Sequence, residues 1–174
     1  METRHASQYF VHRQGYRTFQ RYRWVKLTLV CHHGTHLFAG TVVSEGPSQD
    51  SPEFPNAVRQ ARAHMYIDTL SGDAGYDGEH NHRLAREELG IRSTIIALNK
   101  RRDGRKWPKT KYRRQMKKRF HCRKYNQRWQ VESAISRHKR LLGPELYART
   151  TETQKCECYT RILTHNLMII RLAA

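Results

Sequence analysis

Acidic side chains are scarce in this sequence. Asp and Glu number 15 in 174 residues against 33 Lys and Arg, which leaves a formal net charge of +18. Self-repulsion on that scale only costs stability unless a polyanion neutralises it. Nucleic acid is the fitting partner, because each Lys or Arg near a phosphate releases condensed counterions. Long apolar runs are lacking too, as is an N-terminal leader with a basic start and apolar middle, so neither a membrane span nor a secretory signal is expected. Cysteine is sparse: Cys31, Cys122, Cys156 and Cys158 do not read as a disulfide framework, and reduced thiols in the cytoplasm are the expectation. Cys156 and Cys158, two apart on one helix, point to different sides and make a poor zinc pair. The triplet His80-Asn81-His82 spells three letters of a nuclease motif without that fold's scattered constellation. No Ser-His-Asp motif, P-loop or dinucleotide fingerprint is present.

What is present is a mixture of short strand and helix patterns, in a length that suits one domain. Residues 1–23 are polar, basic and aromatic, with little periodicity. Trp24 to Val30 alternates and is rich in β-formers, His32 to Thr35 is a turn, and Leu37 to Val43 reads as a second strand, so an antiparallel hairpin is predicted. A helix from about Phe54 to Met65 follows, then a strand from Tyr66 to Gly72. Asp77 or Gly78 caps a helix running to Leu89, with Gly90 as its stop. Ser93 to Leu98 reads as a buried strand. After the basic stretch from Lys100 to Lys124, a helix spans about Tyr125 to Leu142. A last helix begins near Thr151, with Thr151 and Gln154 as a capping box and Tyr159, Ile162, Leu163, Leu167 and Ile170 among its apolar positions. The order predicts an α/β fold, a mixed sheet with helices on its faces.

Two acids stand out by context. Asp73 sits where a predicted strand ends, before Ala74-Gly75-Tyr76. The carboxyl ends of strands in open α/β sheets are where ligands bind, although Asp is also a common turn residue. Glu132 belongs to a stripe in which Tyr125, Arg128, Glu132 and Lys139 are spaced by three, four and seven along one helical face. Val131, Ile135 and Leu142 form a second stripe about 100° away that can face a core. By itself, Arg128 with Glu132 is an ordinary i,i+4 pair worth about 0.3 kcal/mol.

The stripe carries more when read as a motif. Tyr125-x-x-Arg128-x-x-x-Glu132-x-x-x-x-x-x-Lys139, together with Asp73-x-Gly75-Tyr76, resembles the signature of the DDE transposase domain of bacterial insertion-sequence elements, in the branch named for its Tyr, Arg, Glu and Lys. The resemblance runs from about Trp24 to the C-terminus. It implies an RNase H-like fold, with Asp73 and Glu132 as catalytic residues and ligands of Mg²⁺ (or Mn²⁺). It implies that Tyr125, Arg128 and Lys139 bind DNA. The family's first acid lies on a strand shortly before a Lys-Leu pair like Lys26-Leu27, and here Glu2 is the only acid upstream of Lys26. The resemblance therefore implies a single partial catalytic domain over 1–174, missing its first strand, with a basic linker at about 100–124, inactive alone. Asp50 matches an acid often seen in the family, with no role attached.

The implied function is DNA transposition by metal-dependent phosphodiester cleavage and strand transfer, on element ends and target DNA, in the bacterial cytoplasm at the nucleoid, with a homodimer on DNA as a further expectation. Two alternatives remain: a non-catalytic DNA-binding remnant of a transposase, and an unrelated basic nucleic-acid-binding protein. Trp107, Tyr112 and Phe120, interleaved with the basic residues of 100–124, suit backbone contact and base stacking. Raising salt from about 50 to 200 mM is expected to weaken duplex DNA binding by roughly a thousandfold, checked by fluorescence anisotropy; salt-independent binding would count against phosphate-driven contact.

Overall fold

The computed structural model describes residues 24–46, 48–99 and 107–172 throughout, and the backbone alone of 2–3, 9–14, 17–22 and 173. The first 23 residues, which show no clear periodicity, contain β1 (Glu2–Thr3) and a hairpin of β2 (Tyr9–Gln14) and β3 (Arg17–Tyr22). β-formers are present there, but their alternation is too weak to read as strands from sequence.

The predicted hairpin forms as β4 (Trp24–Cys31) and β5 (Phe38–Gly46), paired antiparallel from Trp24 opposite Gly46 to Cys31 opposite Phe38. Its alternation divides two layers. Val30 and Ala39 turn to α1 (Phe54–His64), whereas Leu29 and Cys31 turn to the helices at the end of the chain. Gly40 lets α1 lie directly on the sheet, because a Cβ there would run into the Ala57 carbonyl.

Next comes β6 (Thr69–Gly72), then a helical turn over Ala74–Tyr76 and α2 (Glu79–Arg83), which continues as a π-helical turn over Leu84–Glu88. Gly90, with a φ of 67°, ends it as predicted. The chain returns in β7 (Ser93–Ile96), parallel to β6 and in register from Thr69 opposite Ser93 to Gly72 opposite Ile96. Phe54, Val58 and Ala61 of α1 pack with Leu70, Leu84, Ala85 and Ile96, so one helix underlies both strand pairs.

The fold is α/β with small sheets and flanking helices, consistent with an RNase H-like domain. It differs from a single mixed sheet: among the described residues, no ladder joins the antiparallel pair to the parallel pair. Residues 100–106 of the basic segment lie outside the described residues. The rest of the segment carries α3 (Lys111–Lys118) and α4 (Cys122–Tyr125). The helix predicted over 125–142 starts later, as α5 (Trp129–Leu142), after a 3₁₀ turn at Asn126–Arg128.

A two-residue strand, β8 (Glu145–Leu146), pairs parallel with β1 and precedes α6 (Thr151–Ala173). The cap of α6 sits one residue earlier than predicted. Thr150 Oγ1 accepts from the Thr153 amide at 3.3 Å while Thr153 Oγ1 accepts from the Thr150 amide at 3.2 Å. Gln154 instead turns inward and donates to the Ala148 carbonyl at 3.0 Å.

Between β5, α5 and α6, Phe38 packs against two histidines, with its ring centroid 5.9 Å from His138 and 4.4 Å from His165. Both nitrogens of His138 are buried without a hydrogen-bond partner. Burial first, then the charges of His165, Arg161 and Lys139, push the His138 imidazole down to about 4.

Two outcomes follow for stability. Gly40→Ala forces the α1 backbone off the sheet and is expected to cost about 1–3 kcal/mol in urea unfolding. His138 is neutral in the fold but binds a proton in the unfolded chain below its ordinary 6.5, so stability is intact above that pH and falls between pH 6.5 and about 4. The full loss across that window is about 3 kcal/mol. His138→Leu is expected to flatten the pH dependence of the urea midpoint there.

Candidate active site

Asp73 is placed by the end of β6. Its backbone is extended, and its Oδ1 accepts the Gly75 amide at 2.8 Å, which closes the turn over Ala74–Tyr76. Asp50 arrives from the loop after β5, at the start of a 3₁₀ turn over Ser51–Glu53, and makes no side-chain cap there. The two carboxylates meet above Gly75. A Cβ built on Gly75 would lie 2.7 Å from Asp50 Oδ2 and 3.0 Å from Asp73 Oδ1, and the sum of those distances is the ceiling on the gap between the oxygens. Tyr76 registers both charges: burial first, then the carboxylates of Asp50 and Asp73, raise its phenol above the usual range.

Lys26, inside β4, supplies the opposing charge. Its Nζ lies 2.7 Å from Asp50 Oδ1 and donates to the carbonyls of Gln49 at 2.8 Å and Ser48 at 3.0 Å. Nothing in the sequence pattern marked this contact, because its partners are more than 20 residues apart.

Glu132 comes from the first turn of α5 and Arg128 from the 3₁₀ turn before it. Arg128 Nη2 donates to Glu132 Oε1 at 3.0 Å, and its Nη1 lies 3.9 Å from Asp73 Oδ2. The guanidinium therefore reaches both acids that the motif singled out. It also stacks over the Tyr125 ring, 5.3 Å from the centroid. Lys139 is exposed on α5 two helical turns beyond Glu132, roughly 10 Å along the axis. The motif residues thus line one surface, with Arg128 folded back on the carboxylates, Tyr125 stacked against Arg128 and Lys139 at its far end.

Among the described residues, no three His, Cys, Asp or Glu side chains close on one point that would hold a metal ion. Asp50 and Asp73 form a pair, and Glu132 stands on the other side of Arg128. The residues nevertheless fit a hard divalent cation. The donors are carboxylate oxygens, and the space between Asp50 and Asp73 is kept open by the absence of a side chain at Gly75. The cysteines are all free thiols, and burial pushes Cys31 and Cys158 up to about 11, which makes them poor soft ligands.

A second group of acids docks the basic helix α3. Asp77, almost wholly buried, receives a bidentate pair from Arg113 at 2.9 and 2.8 Å. Glu79 accepts the amides of Tyr112 and Arg113 at 3.0 and 3.1 Å, which satisfies the first turn of α3 from outside the helix. Tyr112 donates to Glu87 at 2.8 Å and stacks on His82, whose Nδ1 lies 2.7 Å from the Thr94 hydroxyl. Tyr112 is therefore a packing residue, not the base-stacking platform suggested by its place among basic residues. Phe120 packs against Tyr125, and Trp107 stays exposed. Held this way, α3 turns Lys111, Arg114 and Lys118 outward, and with Arg119 at its C-cap they surround a notch of about 300 Å³.

His82 and Asn81 of the His-Asn-His triplet are buried structural residues; Asn81 ties Tyr76 and Ser51 together by hydrogen bonds of 2.9 and 3.0 Å. No helix among the described residues is long and apolar enough to cross a membrane.

No curated protein and no solved structure matches the chain. The family model described as "Transposase DDE domain" matches residues 1–167, nearly the whole length. Members of that family act on DNA and normally work with divalent metal ions. With a match of that extent, this chain belongs to the transposase DDE domain family.

Proposed function

We propose that the chain supplies catalytic, metal-binding acids, Asp73 and Glu132, to the phosphodiester cleavage and strand transfer of DNA transposition. The observation that carries this is Arg128, whose guanidinium contacts both carboxylates and so brings acids from β6 and α5 to one surface.

Asp73 and Glu132 would hold Mg²⁺ or Mn²⁺, and the bound ion would stabilise charge on the attacking and leaving oxygens. The protein's own part is positioning. Arg128 is matched to a phosphate by its planar fork and can exchange its carboxylate partners for one. Tyr125 holds that guanidinium in place from below. Lys139 adds a second positive charge further along the same helical face. The outward Lys and Arg of α3 extend the positive surface for flanking backbone.

The second reading, a DNA-binding remnant that does not cut, is favoured by one observation: among the described residues, no three His, Cys, Asp or Glu side chains converge on one point.

Nicking of duplex DNA with Mg²⁺ or Mn²⁺ separates these readings. Any cleavage by the parent is expected to fall at least about a hundredfold in Glu132→Gln and in Asp73→Asn. Cutting by Glu132→Gln at the parent rate removes Glu132 from the centre. A parent that binds DNA tightly, leaves it intact with either metal and loses no Mn²⁺ affinity in Asp73→Asn or Glu132→Gln gives the non-catalytic reading.

A further inference from the structure

The role of Asp50 is open after the residues above are placed, and its surroundings are specific. It heads the turn over Ser51–Glu53 without capping it, so helix capping does not account for the carboxylate. Its Oδ1 is taken by Lys26, and its Oδ2 faces Asp73 across Gly75. The Lys26 ammonium is itself enclosed by oxygen: Asp50 Oδ1 at 2.7 Å, the Gln49 carbonyl at 2.8 Å, the Ser48 carbonyl at 3.0 Å and the Ser48 hydroxyl at 3.4 Å. An all-oxygen shell around a positive charge is what a hard cation asks for.

We propose that Asp50 is a further carboxylate ligand of the divalent cation at Asp73, with Lys26 as the resident positive charge that neutralises it when the cation is absent. The inference rests on the reading of Asp73 given above and extends it to a residue outside the family motif. Two carboxylates whose oxygens border one open space repel each other unless a cation lies between or beside them. Lys26 meets that need from the side, which leaves Asp50 Oδ2 directed at the open space. Gly75 keeps the space clear, and its φ is not in the left-handed region, so its lack of a side chain matters here for room rather than for backbone conformation.

The proposal makes opposite predictions for the two partners of one ion pair. Mn²⁺ is titrated into the full chain without DNA, and free Mn²⁺ is followed by electron paramagnetic resonance. Asp50→Asn is expected to weaken Mn²⁺ binding roughly tenfold or more. Lys26→Met, which keeps the aliphatic stem but removes the competing charge, is expected to tighten it. Gly75→Ala, which puts a methyl group into the gap against movable carboxylate ends, is expected to weaken it while the thermal unfolding midpoint measured without metal stays near the parent's. If Asp50 serves only to anchor Lys26, the Asn and Met variants shift affinity in the same direction, and the proposal is overturned. Unchanged Mn²⁺ affinity in Asp50→Asn beside a loss in Asp73→Asn removes Asp50 and leaves the reading of Asp73 standing. Unchanged affinity in both Asp73→Asn and Glu132→Gln brings down that underlying reading as well.

Discussion

Asp50, Asp73 and Glu132 are like charges drawn toward one surface, and like charges repel unless opposite charge lies beside them. The chain answers with two internal cations. Arg128 reaches Asp73 and Glu132, and Lys26 pairs with Asp50. The elements around the site follow from this requirement. Lys26 must sit on β4 beside the loop after β5, so the hairpin register matters to a carboxylate 24 positions downstream. Arg128 must turn back across Glu132, and the 3₁₀ turn at Asn126–Arg128 ahead of α5 is where that happens.

Scarcity of acids makes their placement informative. Asp77, Glu79 and Glu87 hold α3 by its backbone, its Arg113 and its Tyr112, so a helix of almost uniform positive charge is pinned to the body of the protein at one end. Removing one partner of a buried pair such as Asp77 with Arg113 strands a charge, which is why these contacts give orientation as well as attraction. The same logic appears at Arg161, which is tucked against Glu157 and the carbonyls of Gly143 and Glu145 and so ties the middle of α6 to β8 and to Gly143 just before it.

Sequence patterns revealed those features that depend on near neighbours. Alternation over Trp24 to Val30 marked β4, the helical period marked α1 and α5, and Gly90 marked a stop. The motif picked out Asp73 and Glu132, and the fold brings Arg128 to both. Features that depend on distant partners were not legible. The shell of Lys26 joins β4 to residues beyond β5. Tyr112 looked like an exposed aromatic among lysines until α2 and the π turn covered it. The interruption between the two strand pairs is a property of backbone pairing, to which side-chain alternation is blind. The α6 cap moved by one residue because Thr150 and Thr153 satisfy each other, and Gln154 found a better acceptor inside.

The outer side of α6 has a different character from the rest of the molecule. Cys156, Tyr159, Thr160, Leu163, Leu167, Met168 and Ile170 are exposed along it, while Glu157 and Arg161 are drawn inward to each other. Four turns of helix therefore show no exposed charge on a chain carrying +18. Among the described residues the charge is lopsided as a result, dense over α3 and the Lys139 end of α5 and missing from this side of α6 between its charged ends. A polyanion approaching from any direction would exert a torque on such a body and roll it until the blank side points away.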